Sequence, residues 1–349
     1  MHRLAGSIRH YDWGSTTALA EFRGIEPTGR PEAELWFDDR PELPFLVKIL
    51  AAASPLSLQV HPDAEAARMG FAAEEAAGMS PGDAHRSFHD DQAKPELVCA
   101  LSAFEVLCGF RPVADALDIA KALGMPDRFC ADLSVRGPVA WPAVVKSALD
   151  NPPVLQVQEL VGVCQELNEG PRAETAALVA RLADLYPSDP ALLLVPFLNH
   201  HRLEPGEAIS VIAGVPHAYL SGMALEVMPF GDNVLRGGFT SKHVDGVGFV
   251  GVLNPRAPQV AVQRPEQTVH TYEGPTDEIA VLRLVGAELS TTLADDRHRL
   301  VVCVAGSTTV RASTGMVLTP GEALEIPSGG GHLSIAVTGE AYLVTGAPR

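Results

Sequence analysis

The sequence predicts a mainly β protein with an inserted helical domain, in which two related β-barrels carry the fold. Three observations support this. Short apolar segments broken by turn residues fill the first hundred residues and return after residue 199. Apolar residues at three- and four-residue spacing dominate the segment in between. A sixteen-residue pattern occurs twice in the strand-like parts. The hydrophobic fraction of 46% is ample for real cores.

The first hundred residues predict strands with one helix between them. Residues 43–52 form a continuous apolar run with a single lysine, and residues 55–60 alternate before His61. Asp63 is a typical helix N-cap residue, and alanine and glutamate dominate the segment that follows, so we expect a helix over roughly 64–77. Residues 97–110 return to strand character.

The composition changes after residue 112. Apolar residues recur at helical spacing in four segments, and Gly124 and Gly170 follow two of them, where helix C-caps belong. The four segments are 113–123, 143–149, 154–167 and 173–186. This pattern predicts an all-helical block over about 112–199. Beyond it we expect strands to the end of the chain, with turns at 205–206, 214, 237–238 and 320–321.

The internal repeat compares residues 203–218 (LEPGEAISVIAGVPHA) with 318–333 (LTPGEALEIPSGGGHL), which agree at seven of sixteen positions. Each copy reads as a Pro-Gly turn, an alternating strand, a second glycine turn and a histidine at the next strand. The repeat therefore predicts two related barrels. The expected domains are 1–111 and 200–260 for the first barrel, 112–199 for the helical insertion and 261–349 for the second barrel.

Charge and cysteine content exclude several classes of function. The formal net charge of −17 disfavours nucleic acids and anionic membranes as partners. The five cysteines form no CxxC pair, which favours a reducing cytoplasm over a disulfide framework. The N-terminus has no apolar signal-peptide core, and no run approaches eighteen apolar residues, so we expect neither a signal peptide nor a membrane span.

A candidate metal site follows from the first copy of the repeat. Its turn, strand, turn and histidine resemble the second half of the cupin metal motif, with His217 as the ligand. The first half needs two ligands one residue apart on a strand, and Gln59 and His61 meet that need because alternate side chains share a face. Glu96 supplies the carboxylate. Two imidazoles, a carboxylate and an amide oxygen suit one Zn²⁺ per chain.

Each ligand also has a structural interpretation. A single histidine is more often structural than metal-binding, and Glu96 could instead cap a helix or pair with a lysine. His332, in the second copy, has no such partners on the preceding strands. We therefore expect His332 to be a structural turn histidine and the C-terminal barrel to be a metal-free packing module.

At these same residues the chain resembles the type I mannose-6-phosphate isomerases almost from end to end. The resemblance lies in YDWGSTTALAEF at 11–22, AELW at 33–36, LPFLVKIL at 43–50, PLSLQVHPD at 55–63, KPELVCAL at 94–101, FEVLCGFRP at 104–112, PHAYLSGMALEVM at 216–228 and DNVLRGGFTSKHVD at 232–245. It implies two cupin (double-stranded β-helix, or jelly-roll) barrels with a helical domain, and zinc held by the four candidate ligands. It also implies interconversion of mannose 6-phosphate and fructose 6-phosphate, with Arg236 as the essential arginine, and favours a monomer. The chain departs from the family pattern in the connection between AELW and LPFLVKIL, which spans only residues 37–42.

Such a reaction moves a proton between C1 and C2 of the open-chain sugar and needs a proton shuttle. Glu226 is the first candidate, because it lies near Arg236 on a strand of the metal barrel, while Lys94 and a metal-bound water stay open as alternatives. Candidate donors to the substrate are Ser57, Lys94 and Lys48, with Lys242 a weaker one.

Two other functions remain open from the sequence. One is an Fe(II) cupin oxygenase, which Gln59 disfavours because oxygenase iron prefers two histidines and one carboxylate. The other is a cupin that binds a sugar phosphate without converting it. Intact Gln59, His61, Glu96, His217 and Arg236 make an inactive site the weaker interpretation.

Overall fold

The protein is described by a computed structural model that covers residues 1–37, 40, 43–150, 154–170, 172–293, 297–312, 314–329 and 331–347. Most of the connection predicted to be short, at 37–42, lies outside the described residues. Within the described part of the chain, no helix is both long and apolar enough to cross a membrane.

Strands dominate both ends of the described chain. They are β1 His2–Leu4, β2 Ser7–Arg9, β3 Glu34–Trp36, β4 Leu46–Ala52, β5 Leu58–Val60, β6 Glu96–Ala100, β7 Phe104–Phe110, β8 Leu198–Leu203, β9 Ala208–Val211, β10 His217–Met228, β11 Leu235–Gly238, β12 Val269–Tyr272, β13 Ile279–Val285, β14 Glu288–Leu293, β15 His298–Ala305, β16 Thr308–Arg311, β17 Gly315–Leu318, β18 Ala323–Ile326, β19 Gly331–Val337 and β20 Glu340–Gly346.

Most of the helices lie between β7 and β8. The α-helices are α1 Ala18–Arg23, α2 Ala64–Ala76, α3 Val113–Ala122, α4 Asp127–Arg136, α5 Trp141–Leu149, α6 Val154–Glu166, α7 Ala173–Leu185 and α8 Gly246–Gly251, and short 3₁₀ segments span Gly137–Ala140, Pro190–Leu193 and Val195–Phe197. The chain is thus mostly β with some helices, as the sequence predicts.

The N-terminal strands form a sheet system around the long strand β10. The first half of β10 pairs with β5 and β7, and its second half pairs with β4 and β6. The C-terminal strands form a six-stranded sheet, in the order β1-β18-β15-β20-β13-β12, and a four-stranded sheet, in the order β14-β19-β16-β17. Because β1 pairs with β18, the first residues of the chain lie with the C-terminal strands.

The helices after β7 pack on one apolar core. Trp141 stacks on Phe110 at the end of β7, with ring centroids 4.4 Å apart, and also contacts Phe197 just before β8. The helix predictions at 113–123, 143–149, 154–167 and 173–186 are confirmed to within about two residues. The sequence analysis missed α4, because this helix is polar overall and buries only Phe129 and Leu133.

Three further local predictions can be checked. The predicted cap of α2 is confirmed, since the Asp63 side chain accepts a hydrogen bond from the Ala66 amide. The turn predicted at 237–238 is wrong, because both glycines end strand β11. The expectation of strands throughout the region after 199 is wrong at α8, whose first turn is capped by Asp245. The domain boundaries stay a prediction.

Candidate metal centre

Strand register brings three candidate residues into one row. Gln59 on β5 lies opposite His217 on β10 and, on its other side, opposite Arg236 on β11. β5 is the middle strand of the three, so residues far apart in sequence become neighbours. The side chains of Gln59 and His217 meet, with their Nε2 atoms 3.2 Å apart.

Three of the four candidate ligands cluster tightly. His61, Glu96 and His217 each offer one ligand atom within 4.8 Å of the others, and all three side chains are buried. The His61 Nε2 atom lies 3.1 Å from Glu96 Oε1, and the His217 Nε2 atom lies 3.7 Å from Glu96 Oε2. Glu96 begins β6, which pairs with β9, and His217 begins β10, which pairs with β7, so the cluster joins strands from both sides of the helical block.

Both imidazoles direct an unprotonated nitrogen at the same point. His61 Nδ1 donates to the carbonyl of Asn233 at 2.7 Å, and His217 Nδ1 donates to the carbonyl of Val215 at 3.0 Å. A neutral imidazole then has its lone pair on Nε2, and a backbone carbonyl on the opposite nitrogen is the arrangement typical of metal-binding histidines.

The electrostatics of the cluster suit a cation. His61 Nε2 is buried and faces the carboxylate of Glu96, and among the described residues it has no hydrogen-bond partner. Burial lowers the pKa of His217 to about 4, which keeps its imidazole neutral. Burial alone would raise the pKa of Glu96, but the ammonium of Lys94 holds it well below its usual range. Two imidazole lone pairs and an ionised carboxylate therefore converge on one point, which is what a divalent metal requires.

A chain of buried polar groups leads away from this point. Tyr219 donates to Glu96 Oε2 at 2.6 Å and lies 3.1 Å from Glu226 Oε1. Glu226 Oε2 lies 2.6 Å from the ammonium of Lys48, which also contacts Glu34 at 3.1 Å. Burial and the negative charge of Glu96 raise the pKa of Glu226 to about 7, despite the opposing effect of Lys48.

These groups line a cavity of about 520 Å³. All of the candidate substrate donors face it, namely Ser57, Lys48, Lys94 and Lys242, together with Arg236, Gln59, Glu96 and Glu226. Lys94 Nζ also lies 3.0 Å from Glu96 Oε1. Four basic side chains line the cavity together with five acidic ones, Asp12, Glu34, Glu96, Glu226 and Asp232. Because Lys48 and Lys94 contact carboxylates of this set, Arg236 and Lys242 are the basic groups best placed to attract an anionic sugar in a protein of net charge −17.

Comparison with known proteins decides the family. Residues 37–113 match the model for the catalytic domain of type I phosphomannose isomerase. The chain is 33% identical to the mannose-6-phosphate isomerase of Escherichia coli K12, over 92% of this chain and 93% of the relative. It is 31% identical to the Salmonella typhimurium LT2 enzyme of the same name, over 97% and 98%.

The chain belongs to the mannose-6-phosphate isomerase family.

Solved structures agree with this membership. A zinc-bound mannose 6-phosphate isomerase superposes with a TM-score of 0.87 at 29% identity, covering 99% of both chains. A phosphomannose isomerase variant from Salmonella typhimurium gives a TM-score of 0.88 at the same identity and coverage. The family resemblance inferred from the sequence is therefore confirmed.

Sequence reasoning missed three side chains at the site of this isomerase family member. Tyr219 links Glu96 to Glu226, and its position two residues after His217 on β10 could have signalled it. Glu34 holds Lys48 and in turn accepts a hydrogen bond from the Trp36 indole at 2.7 Å. Asn233 is completely buried in the DNVLRGG segment, where the resemblance drew attention only to Arg236.

Proposed function

We propose that this chain is a zinc-dependent aldose–ketose isomerase that interconverts D-mannose 6-phosphate and D-fructose 6-phosphate. One observation carries the proposal. A buried His61, Glu96 and His217 cluster lies beside a cavity lined by basic residues, in a chain that is 33% identical to a mannose-6-phosphate isomerase along 92% of its length.

Gln59, His61, Glu96 and His217 would hold the zinc. Three of these ligands are supported by the His61 Nε2 atom, which has no hydrogen-bond partner in the described part of the chain, by the ionised Glu96 and by the tautomer of His217. Gln59 is supported by its contact with His217, and rotation of its amide would exchange the nitrogen for the oxygen that a metal prefers. When bound, zinc supplies a Lewis acid that stabilises negative charge on the sugar oxygens.

Glu226 would carry the proton between C1 and C2. Its pKa near 7 lets one carboxylate both accept and return a proton at neutral pH. Lys48 contacts Glu226 directly and is held on its other side by Glu34, so it would restrain the orientation of that carboxylate. Lys94 lies beside Glu96 and remains the alternative shuttle.

Arg236 would place a positive charge at the oxygens that become negative during the proton transfer. It lines the cavity one strand away from Gln59. Ser57, Lys94 and Lys48 would donate to the substrate, and Lys242 would add charge at the rim of the cavity. Lys48 contacts Glu226 and Lys94 contacts Glu96, and both carboxylates lie where the sugar would react. We therefore expect these lysines to bind sugar oxygens as well as the phosphate.

The proposal includes the finer architecture. The metal centre would belong to a cupin barrel formed by 1–111 and 200–260, interrupted by the helical domain 112–199 and followed by a second cupin barrel at 261–349. The five α-helices that the structure describes between β7 and β8 support the insertion, and the shared turns of the repeat support two related barrels. We further propose a monomer in the cytoplasm. All five cysteines are free, which supports a reducing compartment, and light scattering would test the monomer.

The test is a coupled assay of fructose 6-phosphate formation from mannose 6-phosphate. We expect turnover that a chelator abolishes and added zinc restores. Gln59→Ala should reduce both zinc content and rate, whereas Gln259→Ala, at an exposed position outside the lining of the cavity, should change neither.

Two outcomes would favour the alternatives. Iron rather than zinc in the purified protein would support an oxygenase. Stabilisation of the zinc-loaded protein by mannose 6-phosphate without conversion would support a binding protein that lacks the isomerase activity.

A further inference from the structure

Asn233 joins three parts of the metal centre that are distant in sequence. It precedes β11, and its side chain is completely buried. Its backbone and its side chain each make hydrogen bonds to different segments that lead to candidate ligands. Because both sets of hydrogen bonds meet at one residue, a displacement of one of these segments would also displace the groups that Asn233 holds in the other.

The backbone of Asn233 orients His61. Its carbonyl accepts the 2.7 Å hydrogen bond from His61 Nδ1, which fixes the ring so that Nε2 faces Glu96. A hydrogen bond of this kind sets both the tautomer and the direction of a metal-binding imidazole. The position of the Asn233 backbone therefore determines where the His61 lone pair points.

The side chain of Asn233 holds the segment that leads into Glu96. Its Oδ1 accepts hydrogen bonds from the amides of His89 and Asp90, at 2.7 and 3.1 Å. Its Nδ2 donates to the Asp90 carbonyl, to Asp90 Oδ1 and to the Gln92 carbonyl, at 2.9, 3.0 and 2.8 Å. The Asp90 carboxylate in turn accepts from the Asp232 amide at 2.8 Å.

The anchored segment ends only a few residues before the metal centre. Gln92 is followed by Lys94, which contacts Glu96 at 3.0 Å, and β6 begins at Glu96. On the other side of Asn233 the chain continues directly into β11, which carries Arg236. One buried amide thus fixes the approach to Glu96 relative to both His61 and the strand of Arg236.

We propose that Asn233 is the positioning residue that sets the spacing of His61 and Glu96, and through it the affinity of the site for zinc. This rests on the proposed zinc-dependent function. The residue acts through the ligands and does not touch the metal or the substrate.

The requirement for asparagine follows from its mixture of donor and acceptor. Its five side-chain hydrogen bonds use two acceptor and three donor contacts at one amide group. Aspartate has the same shape, but its second oxygen would face two carbonyls and the carboxylate of Asp90, all of which are acceptors. Asn233→Asp therefore keeps the volume and the backbone bond to His61 while it repels the segment before Glu96.

Asn199 offers a matched control. Its Nδ2 also donates to backbone carbonyls, those of Cys108, Gly109 and Phe110, at 3.0 to 3.5 Å. Asn199→Asp therefore introduces a similar electrostatic conflict at a partly buried position. This position lies outside the segment that leads to Glu96 but beside Cys108, which is opposite His217, so the variant tests whether a conflict elsewhere near the site lowers zinc affinity equally. A loss of zinc affinity specific to Asn233→Asp separates positioning from general destabilisation.

The experiment measures zinc affinity by competition with a chromophoric chelator, together with the thermal unfolding midpoint of the zinc-free proteins. We expect Asn233→Asp to weaken zinc binding about 10- to 100-fold, as found for residues that orient ligands. Asn199→Asp should shift the unfolding midpoint but change zinc affinity less than about twofold. Unchanged zinc affinity in Asn233→Asp, or an equal loss in Asn199→Asp, would overturn the proposal.

A milder variant keeps the test decisive if Asn233→Asp does not fold. Asp90→Asn removes one negative acceptor from the half-buried loop and leaves Asn233 in place. We expect a several-fold loss of zinc affinity, and wild-type affinity would contradict the proposal. Because zinc binding is measured directly, a wild-type protein that binds zinc without turnover would overturn the isomerase function and leave the role of Asn233 to be judged separately.

Discussion

The two copies of the internal repeat share a scaffold but not a chemistry. In each copy a Pro-Gly turn places glycine in the left-handed region, with φ 90° at Gly206 and 84° at Gly321. Glu207 and Glu322 follow these turns, and each side chain accepts a hydrogen bond from the amide three residues earlier. The next strands, β9 and β18, pair with β6 and β15 respectively.

The side chains differ at positions that the alignment of the two copies makes equivalent. His217 is buried and lies opposite Gln59, whereas His332 is exposed and lies opposite Thr292. Glu96 pairs with the fourth residue of β9, and the residue that pairs with the fourth residue of β18 is Arg299. A buried guanidinium thus stands where the first copy has its carboxylate. Turn chemistry and strand alternation preserve the turns and the strands that follow them, while a metal site needs particular side chains in register.

The largest contrast should come from the two repeat histidines. We expect His217→Ala to reduce zinc affinity by more than about a hundredfold, because even residues that only orient ligands contribute 10- to 100-fold. His332→Ala should leave zinc content and turnover within about twofold of wild type, since its imidazole bonds only Ser290 among the contacts described. Metal analysis and the coupled assay measure both.

The matched pair also controls for folding. If His217→Ala and His332→Ala lower activity equally, the effect is loss of structure rather than loss of a ligand. If His217→Ala retained zinc, His217 would not be a ligand, and the two copies would no longer differ in metal binding.

A smaller effect should appear in the pH dependence of the zinc-free protein. Burial lowers the pKa of His217 to about 4 in the folded state, against about 6.5 in an unfolded chain. Between these values the unfolded state binds more protons, so the contribution of His217 to stability is fully present above pH 6.5 and is lost as the pH falls towards 4. Urea unfolding should therefore show that wild type loses more stability across this window than His217→Gln does.

The corresponding substitution in the second copy provides the comparison. His332→Gln, which makes the same substitution at an exposed position, serves as the control for the change of residue type. Equal slopes for wild type and His217→Gln would mean that the His217 imidazole is solvated in the zinc-free protein.

Much of this contrast could be predicted from the sequence, because it depends on local patterns. The repeat located the turns and both histidines, and strand alternation put Gln59 and His61 on one face. The helical period found α3, α5, α6 and α7, but α4 has too few apolar residues for that signal. The hydrogen bonds of Asn233, the link through Tyr219 and the buried Arg299 depend on cross-strand register and on long-range contacts, which the spacing of residues along the chain does not encode.

The turn glycines should show the similarity of the two copies rather than their difference. Both have φ values that disfavour a side chain, and an added Cβ would meet the flexible side chains of Arg283 at Gly206 and Arg23 at Gly321. We expect Gly206→Ala and Gly321→Ala each to lower the free energy of unfolding by about 1–2 kcal/mol. Denaturant unfolding measures this, and a large loss in only one copy would show that the two turns are not equivalent.

The smallest effects should come from the glutamates after those turns. Glu207→Ala and Glu322→Ala each remove an acceptor for a turn amide, which contributes about 0.5–1.5 kcal/mol, and a surface ion pair, with Arg264 and Arg3 respectively, that adds less than about 1 kcal/mol. Glu322→Ala should cost slightly more, because Glu322 also accepts from the Thr319 hydroxyl. Glu→Gln at either position keeps an acceptor for the turn and should recover most of the loss. If glutamine did not recover the loss, these residues would act through their charge and not through the hydrogen bond of the turn. The two copies would then resemble each other at this position in sequence alone.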